Sequence, residues 1–394
     1  MLLRPHQQEA LEAMARTPKG KVIVPTGGGK TLIAIKDAIR RLNTVTAPTL
    51  VVVAPRILLA EQLSSEFLDE IEWNHDVSVM HVHSGETHHY STTKSDKIQE
   101  WVSNTQGSKL IFTTYHSLHR LVEADVVVDT IYFDEAHNSV QRNFIEFVEY
   151  YSLPFNALRS YFFTATPKHS LTPMKVGMNE TDIFGEVICK VPAPKLVKEG
   201  YILPPKVKVY KTDILKKDEI TFDVECNQII DNIDDHKTKK ILVCAKSTKQ
   251  ITGLIYYPKF IYELENRGYS YMFITAKTGA YIDGKKVSRD KFFEVLSEWG
   301  KDEIKKFVVL HHSILAEGIN VKGLEAVLFL RSMDYIGISQ TIGRVIRKGG
   351  KEKTHGLVCV PVYSKVGIST ARKVQSVVDT VFVQGEPAIS VVRK

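Results

Sequence analysis

Val22-Ile23-Val24-Pro25-Thr26-Gly27-Gly28-Gly29-Lys30-Thr31 is the stretch on which the fold turns. An apolar β-branched run ends at Pro25, glycines remove side chains where a backbone must approach closely, and Thr31-Leu32-Ile33-Ala34-Ile35 resumes with helical character. A strand, tight turn and helix in this order aim backbone N–H groups and the positive end of a helix dipole at one point, the requirement for a phosphate group. Lys30 is placed to reach β- and γ-phosphates and the Thr31 hydroxyl to hold Mg²⁺; Thr26, Gly27, Gly28 and Gly29 form the cradle. Val24 stands where the generic G-x-x-x-x-G-K-[ST] pattern has glycine, so the tighter form P-T-G-G-G-K-T is the one that fits. A flexible glycine-rich surface loop is the alternative, and the flanking strand and helix argue against it.

Working outward, apolar strand-like runs alternate with helical patterns on both sides. Pro5 to Ala15 and Ile57 to Ile71 read as helices; Thr49–Ala54, Val77–Val82, 109–113, 130–133 and 161–163 read as strands. Continuous apolar strands separated by helices imply a mainly parallel sheet covered on both faces, because each parallel connection needs a crossover. The stretch 191–209 breaks this rhythm with Val-Pro-Ala-Pro and a later Pro-Pro, after which strands at 240–245, 271–274, 306–310, 326–330 and 356–360 restart it. With 394 residues, the chain is expected to fold as α/β in two tandem domains, 1–194 and 210–394, joined by a linker at 195–209. A polar stretch, 278–290, interrupts the second set of strands between 274 and 306.

A formal charge of +7 and a pI near 8.9 suit a polyanionic partner without establishing one. Four scattered cysteines without C-x-x-C spacing read as core residues of a reducing compartment. No run of 18 apolar residues occurs and the amino terminus turns polar at Arg4, so the expected location is cytoplasmic, with no membrane contact.

Further acids and hydroxyls fall at strand ends. Asp134-Glu135-Ala136-His137 follows an apolar strand, where open parallel sheets bind ligands; Asp134 is placed for Mg²⁺ and Glu135 for the water that attacks a γ-phosphate. Thr164-Ala165-Thr166-Pro167 follows another strand, and its hydroxyls can sense the acidic loop. In the second half, Arg344 and Arg347 at spacing three are expected on one helix face, where guanidinium groups could meet phosphate oxygens across an interdomain cleft. His81, His83, His88 and His89 invite a metal reading, against which stands the lack of acid or cysteine partners at ligand spacing. Tyr256, Tyr257, Phe260 and Tyr262 could stack on bases or serve as core.

Taken in order, R-P-H-Q-Q-E-A (4–10), P-T-G-G-G-K-T (25–31), A-P-R-I-L-L-A-E-Q (54–62), T-T-Y (113–115), D-E-A-H (134–137), T-A-T-P (164–167), L-A-E-G-I-N-V (315–321) and Q-T-I-G-R-V-I-R (340–347) resemble the motif set of superfamily 2 helicases. The late pieces are most similar to phage-type UvsW helicases and restriction-enzyme motor subunits. The resemblance implies two RecA-like domains forming a nucleic-acid-stimulated ATPase that uses ATP and Mg²⁺. It implies that Arg4 and Gln7 meet the adenine, that Lys30 and Thr31 bind phosphate and Mg²⁺, and that Asp134 and Glu135 serve metal and water. Gly318, Gln340, Arg344 and Arg347 would complete the site, with His137, Thr164 and Thr166 coupling it to the track. Nucleic-acid contacts would fall on Pro55, Arg56, Gly85, Thr113, Thr114, Lys246 and Ser247. Asn320 stands where many relatives carry Asp. The expected partner is DNA, single-stranded, duplex or branched, acted on by a monomeric helicase or translocase. The alternatives are an RNA-directed DEAH-box ATPase and a clamping motor subunit serving a partner nuclease or other accessory protein.

Overall fold

The chain is described here by a computed structural model covering residues 2–71, 76–85, 87–211, 221–275, 277–312, 321, 323–349 and 353–392. It divides into two compact units, Met1–Val191 with Ile389–Lys394, and Pro192–Ala388. The division falls at Val191/Pro192, ahead of the expected boundary. Most of the expected linker is structured, with helix Ala193–Lys198 and a strand that opens at Pro205. Residues 389–394, expected in the second domain, group with the first.

The first unit contains β1 (Lys19–Ile23), β2 (Thr49–Ala54), β3 (Val77–Val82), β4 (Tyr90–Ser91), β5 (Ser108–Thr114), β6 (Val128–Phe133), β7 (Ala157–Thr164), β8 (Lys168–His169) and β9 (Glu186–Lys190). Eight of them form one sheet in the order β4-β3-β5-β2-β6-β7-β1-β9. Its described pairings are all parallel, as the unbroken apolar runs require. The core beneath it is aromatic: Phe133 of β6 stacks on Phe162 of β7 with centroids 4.8 Å apart. β1 sits between β7 and β9 while the chain's next strand, β2, lies beyond β6. The loop after β1 therefore opens at a reversal of strand order on the carboxyl edge, the place where such sheets bind ligands.

The second unit begins with β10 (Pro205–Lys211) and continues through β11 (Lys240–Cys244), β12 (Ser270–Thr275), β13 (Gly279–Ile282), β14 (Lys285–Val287), β15 (Phe307–His311), β16 (Ala326–Phe329) and β17 (Gly356–Val362). Its sheet runs β10-β17-β16-β11-β15-β12-β13-β14. The polar stretch 278–290 contains an antiparallel hairpin, β13 with β14, added to the edge at β12. Its turn is Asp283-Gly284, with φ of 44° and 75°, the mirror-image turn that Asp-Gly favours. A last strand, β18 (Ser390–Val391), returns to pair with β8 in the first unit. Among the described residues, no helix is long and apolar enough to cross a membrane.

Candidate nucleotide and nucleic-acid sites

Ile23 of β1 pairs with Thr164 of β7, and Phe133 of β6 with Phe162, so three successive loops leave one edge of one sheet side by side. They are the glycine loop at 24–29, the acidic loop at 134–138 and the threonine loop at 164–167. The glycine loop closes by Gly28 N–H donating to Pro25 O at 2.9 Å, and Gly27 and Gly29 both have φ of +85°. Side-chain-bearing residues resist that conformation, which explains glycine at these positions. Helix Lys30–Thr44 starts directly after Gly29, so Lys30 and Thr31 occupy its first turn.

Helix Pro5–Arg16 braces this loop from behind. Arg4 Nη1 donates to Gly27 O at 3.3 Å, His6 Nε2 lies 2.8 Å from Gly28 O, and Gln7 Nε2 is 3.5 and 3.4 Å from the carbonyls of Gly28 and Gly29. Gln7 Oε1 accepts from Arg4 N–H, leaving the side chain 1% exposed. A Cβ at Gly29 would lie 2.3 Å from Gln7 Nε2. His6 is a member of this support that the sequence reading missed, although it stands between the two residues singled out.

Lys30 Nζ lies 3.6 Å from Glu135 Oε1, with both side chains nearly buried. Glu135 has φ 44° and ψ 53°, a left-handed conformation that costs a side-chain-bearing residue on the order of 1–3 kcal/mol. Asn138 Nδ2 donates to Glu135 O at 3.0 Å and helps hold the turn. Tyr115 OH donates to Asp134 O at 2.9 Å, fixing the adjoining backbone. The Asp134 carboxyl is pushed up to about 7, first by burial and then by Glu135, with Lys30 acting in the opposite direction. A buried carboxyl such as Asp134, whose ionisation burial penalises, suits a divalent cation, and the Thr31 hydroxyl in the adjacent helix turn offers the neutral oxygen that such a cation takes. Thr26 Oγ1 is buried and makes no hydrogen bond, leaving a hydroxyl for a ligand.

His137 joins the acidic and threonine loops. Its Nδ1 lies 3.1 Å from Thr164 Oγ1, 3.4 Å from Thr166 Oγ1 and 3.5 Å from Glu135 Oε2, and its Nε2 is 3.3 Å from Asn138 Nδ2. Thr166 N–H donates to Thr164 Oγ1 at 3.0 Å, which sets the second turn.

Across the same sheet edge, the strand ends of β2, β3 and β5 converge, with Ala54 opposite Thr114 and Val82 opposite Thr113. The residues expected to touch nucleic acid divide here by accessibility. Arg56 is exposed, while Pro55 and Thr114 are buried. Thr114 Oγ1 donates to Ser117 Oγ at 3.4 Å. Thr113 is fully buried and its hydroxyl donates to Val82 O at 3.0 Å, so it ties β5 to β3 and does not face solvent. Gly85 N–H donates to His83 Nδ1 at 3.2 Å, and a Cβ at Gly85 would come within 2.4 Å of Ile57 Cγ2.

The histidines form a chain of hydrogen bonds. Because Gly85 N–H donates to His83 Nδ1, His83 carries its proton on Nε2 and donates to His81 Nδ1 at 3.0 Å; His81 Nε2 in turn donates to Ser64 Oγ at 3.0 Å. Burial holds His81 down to about 4, aided by His83 and His89, and lowers His83 as well. Among the described residues, no group of three or more His, Cys, Asp or Glu side chains is arranged to hold a metal.

In the second unit, Lys246 and Ser247 follow the carboxyl end of β11. Ser247 Oγ caps helix Thr248–Ile255 by accepting Gln250 N–H at 3.1 Å, and Lys246 is exposed. Gln340 and Arg344 lie on helix Tyr335–Val345. The expectation that Arg347 shares their helix face fails, because the helix ends at Val345 and Ile346 caps it. Ile346 O is instead taken by Leu203 N–H at 2.7 Å, which turns the chain out of the helix. Burial, then Arg344 and Arg331, keeps His311 neutral down to about 3. Gly318 and Asn320 lie outside the described residues. Tyr256 and Tyr262 of the aromatic run are exposed while Phe260 is fully buried, so that run is part surface and part core.

Residues 1–169 match the family described as "Type III restriction enzyme, res subunit". No curated protein matches the chain in sequence. Among solved structures, the chain is similar over its whole length to the ATP-dependent Type ISP restriction-modification enzyme LlaBIII bound to DNA, with TM-score 0.76 and 19% identity. It is also similar to a nuclease-deletion mutant of the Type ISP enzyme LlaGI in complex with a DNA substrate mimic, with TM-score 0.68 and 20% identity over 99% of the chain. It spans 31% and 30% of the lengths of those two proteins. A third neighbour, Dbp5 of S. cerevisiae bound to RNA and ADP BeF3, has TM-score 0.61 and 15% identity, with 98% of this chain and 89% of that one covered. The fold shared with these neighbours is that of RecA-like helicase domains.

Proposed function

We propose that the chain is a superfamily 2 ATP-dependent DNA translocase or helicase. The observation that carries this reading is the convergence of Lys30, Asp134 and Glu135 on one edge of one parallel sheet, with Lys30 and Glu135 3.6 Å apart. In this account the N–H groups of Gly27 and Gly29 and the Lys30 ammonium hold the β- and γ-phosphates of ATP, while Gly28 shapes the loop through its bond to Pro25 O and Thr26 offers its hydroxyl. Arg4 and Gln7 serve the base end, Gln7 passing its position to the loop through the Gly28 and Gly29 carbonyls. Thr31 and Asp134 would hold Mg²⁺, which when bound neutralises phosphate charge. Glu135 takes the proton of the attacking water, with the Lys30 ammonium 3.6 Å from its carboxylate. Gln340, Arg344 and Arg347, with Gly318, are assigned to the developing charge on the transferring phosphoryl group. His137, Thr164 and Thr166 transmit the state of the acidic loop to the neighbouring strand ends.

Contacts to the track are assigned to Arg56, Pro55, Gly85, Thr114, Lys246 and Ser247, positions suited to holding phosphates without reading bases. Thr113 acts through β5 and not by contact. The late motifs, similar to those of restriction-enzyme motors and phage UvsW helicases, favour DNA, whereas the acidic loop does not separate DNA from RNA. The likeness to an RNA-bound neighbour motivates RNA as the second track to test. A nuclease or other partner would supply any cutting. Steady-state ATP hydrolysis with and without DNA or RNA tests the assignment.

A further inference from the structure

A second feature lies at the opposite end of the second unit's sheet, where β11, β16 and β17 begin. There a cavity of about 820 Å³ opens beside Lys240, Glu325 and Leu357. Its described lining holds seven lysines against two glutamates, an excess of five positive charges in a chain whose whole formal charge is +7. Such a concentration is self-repelling, and a solvated face would spread it apart.

The floor is built, not incidental. Lys240 is 4% exposed, and its Nζ donates to Gly300 O at 2.8 Å at the end of helix Arg289–Lys301. Lys353 Nζ donates to Leu324 O at 2.6 Å and Arg347 O at 2.7 Å. Gly323, with φ of +77°, closes the back; a Cβ there would lie 2.2 Å from Gly300 O and 3.0 Å from Lys240 Nζ. Lys206, Lys237, Lys301 and Lys348 rise around the exposed rim. Of the two acids, Glu325 is already engaged, accepting the Lys239 backbone N–H at 2.6 Å. Glu303 is exposed.

The ammonium groups are short of negative partners. Burial first, then Lys240 and Arg347 against the opposing pull of Glu325, holds Lys353 down to about 8. Burial, followed by Lys206 and Lys353, lowers His355 at the same wall. An occupant carrying several negative charges would relieve both. The described lining has no aromatic ring beyond the imidazoles of His236 and His355, so it lacks a platform for stacking a base.

We propose that this cavity binds consecutive phosphate groups, presented either by a free polyphosphate or by a phosphodiester backbone. It is separate from the glycine loop of the first unit and does not depend on the motor assignment.

The test uses inorganic tripolyphosphate on the full chain carrying Lys30→Ala, which removes the phosphate loop as a competing site. Amine-reactive labelling read by mass spectrometry should show Lys206, Lys237, Lys301 and Lys353 protected by the polyanion. Calorimetric affinity should fall on the order of a hundredfold when Lys206, Lys237 and Lys301 are changed together to Glu. A parallel arm with single-stranded and duplex oligonucleotides separates the sources. Protection by tripolyphosphate alone assigns the site to a free polyphosphate, and protection by oligonucleotides as well assigns it to a backbone. No protection in either arm, or binding undiminished by the three reversals, overturns the proposal. Failure of ATP turnover in the unmodified chain would count against the motor reading only.

Discussion

Lys30 and Glu135 meet at 3.6 Å although they come from the loops after β1 and β6, strands separated in the sheet by β7. The ion pair is therefore a product of sheet order, and β7 contributes the third loop, which reaches Glu135 through His137. Its Nδ1 lies within 3.5 Å of Glu135 and of both Thr164 and Thr166.

Replacing His137 with Ala removes that connection while leaving Lys30, Thr31 and Asp134 in place. DNA-stimulated turnover is expected to fall by about 5- to 150-fold, the range of ordinary coupling energies, with ATP affinity little changed. Nucleotide titration beside ATPase assays checks this. Equal loss of binding and stimulation would show that His137 only holds the loop.

Gly29→Ala should be disproportionately harmful for so small a change. The new methyl group meets Gln7 Nε2 at 2.3 Å and the backbone has φ of +85°, so stability should drop by about 1–3 kcal/mol and nucleotide affinity with it. Gln7→Ala in the same chain relieves the clash but not the backbone strain, so the double variant should recover part of the stability. Urea unfolding of the four species measures the coupling, and strict additivity would refute the contact.

Thr113→Val and Arg56→Ala should separate structure from binding. The valine leaves Val82 O without its buried hydroxyl donor, costing about 1 kcal/mol of stability while DNA affinity at a permissive temperature holds. The arginine change should leave stability unaltered and reduce both DNA affinity and its salt dependence, as loss of one phosphate contact does. Reversed outcomes would reassign both residues.

The histidine chain predicts an acid limb to stability. His81 titrates near 4 in the folded chain against an ordinary value of 6.5, so between those values the unfolded chain binds more protons. Stability should therefore be intact above pH 6.5 and fall as the pH drops toward 4, by about 3 kcal/mol from this residue. His81→Phe should flatten that limb in urea unfolding followed from pH 7 to 4. An unchanged slope would place the acid sensitivity elsewhere.

Much of this was readable from the residues. The helix Ile57–Ile71 and the strands Thr49–Ala54 and Val77–Val82 have the limits that their apolar patterns give, because buried parallel strands and amphipathic helices declare themselves locally. The hairpin β13–β14 went unread because its residues are polar, although Asp283-Gly284 marked the turn. Strand order could not be read, so neither could the Lys30–Glu135 distance nor the burial of Thr113. The Arg347 placement failed because helical spacing says nothing about where a tertiary contact, here Leu203 to Ile346, ends a helix. His6 was missed since its role, bonding to Gly28 O, leaves no periodic signature.

The most direct measurement is steady-state ATP hydrolysis by the unmodified chain and by Glu135→Gln, without nucleic acid and with single-stranded DNA, duplex DNA, a branched junction and RNA, at low and high salt. The account predicts strong stimulation by DNA that weakens with salt, and a Glu135→Gln variant that still binds ATP but turns over about 10²- to 10⁴-fold more slowly. Turnover indifferent to every nucleic acid, or undiminished in Glu135→Gln, would contradict it.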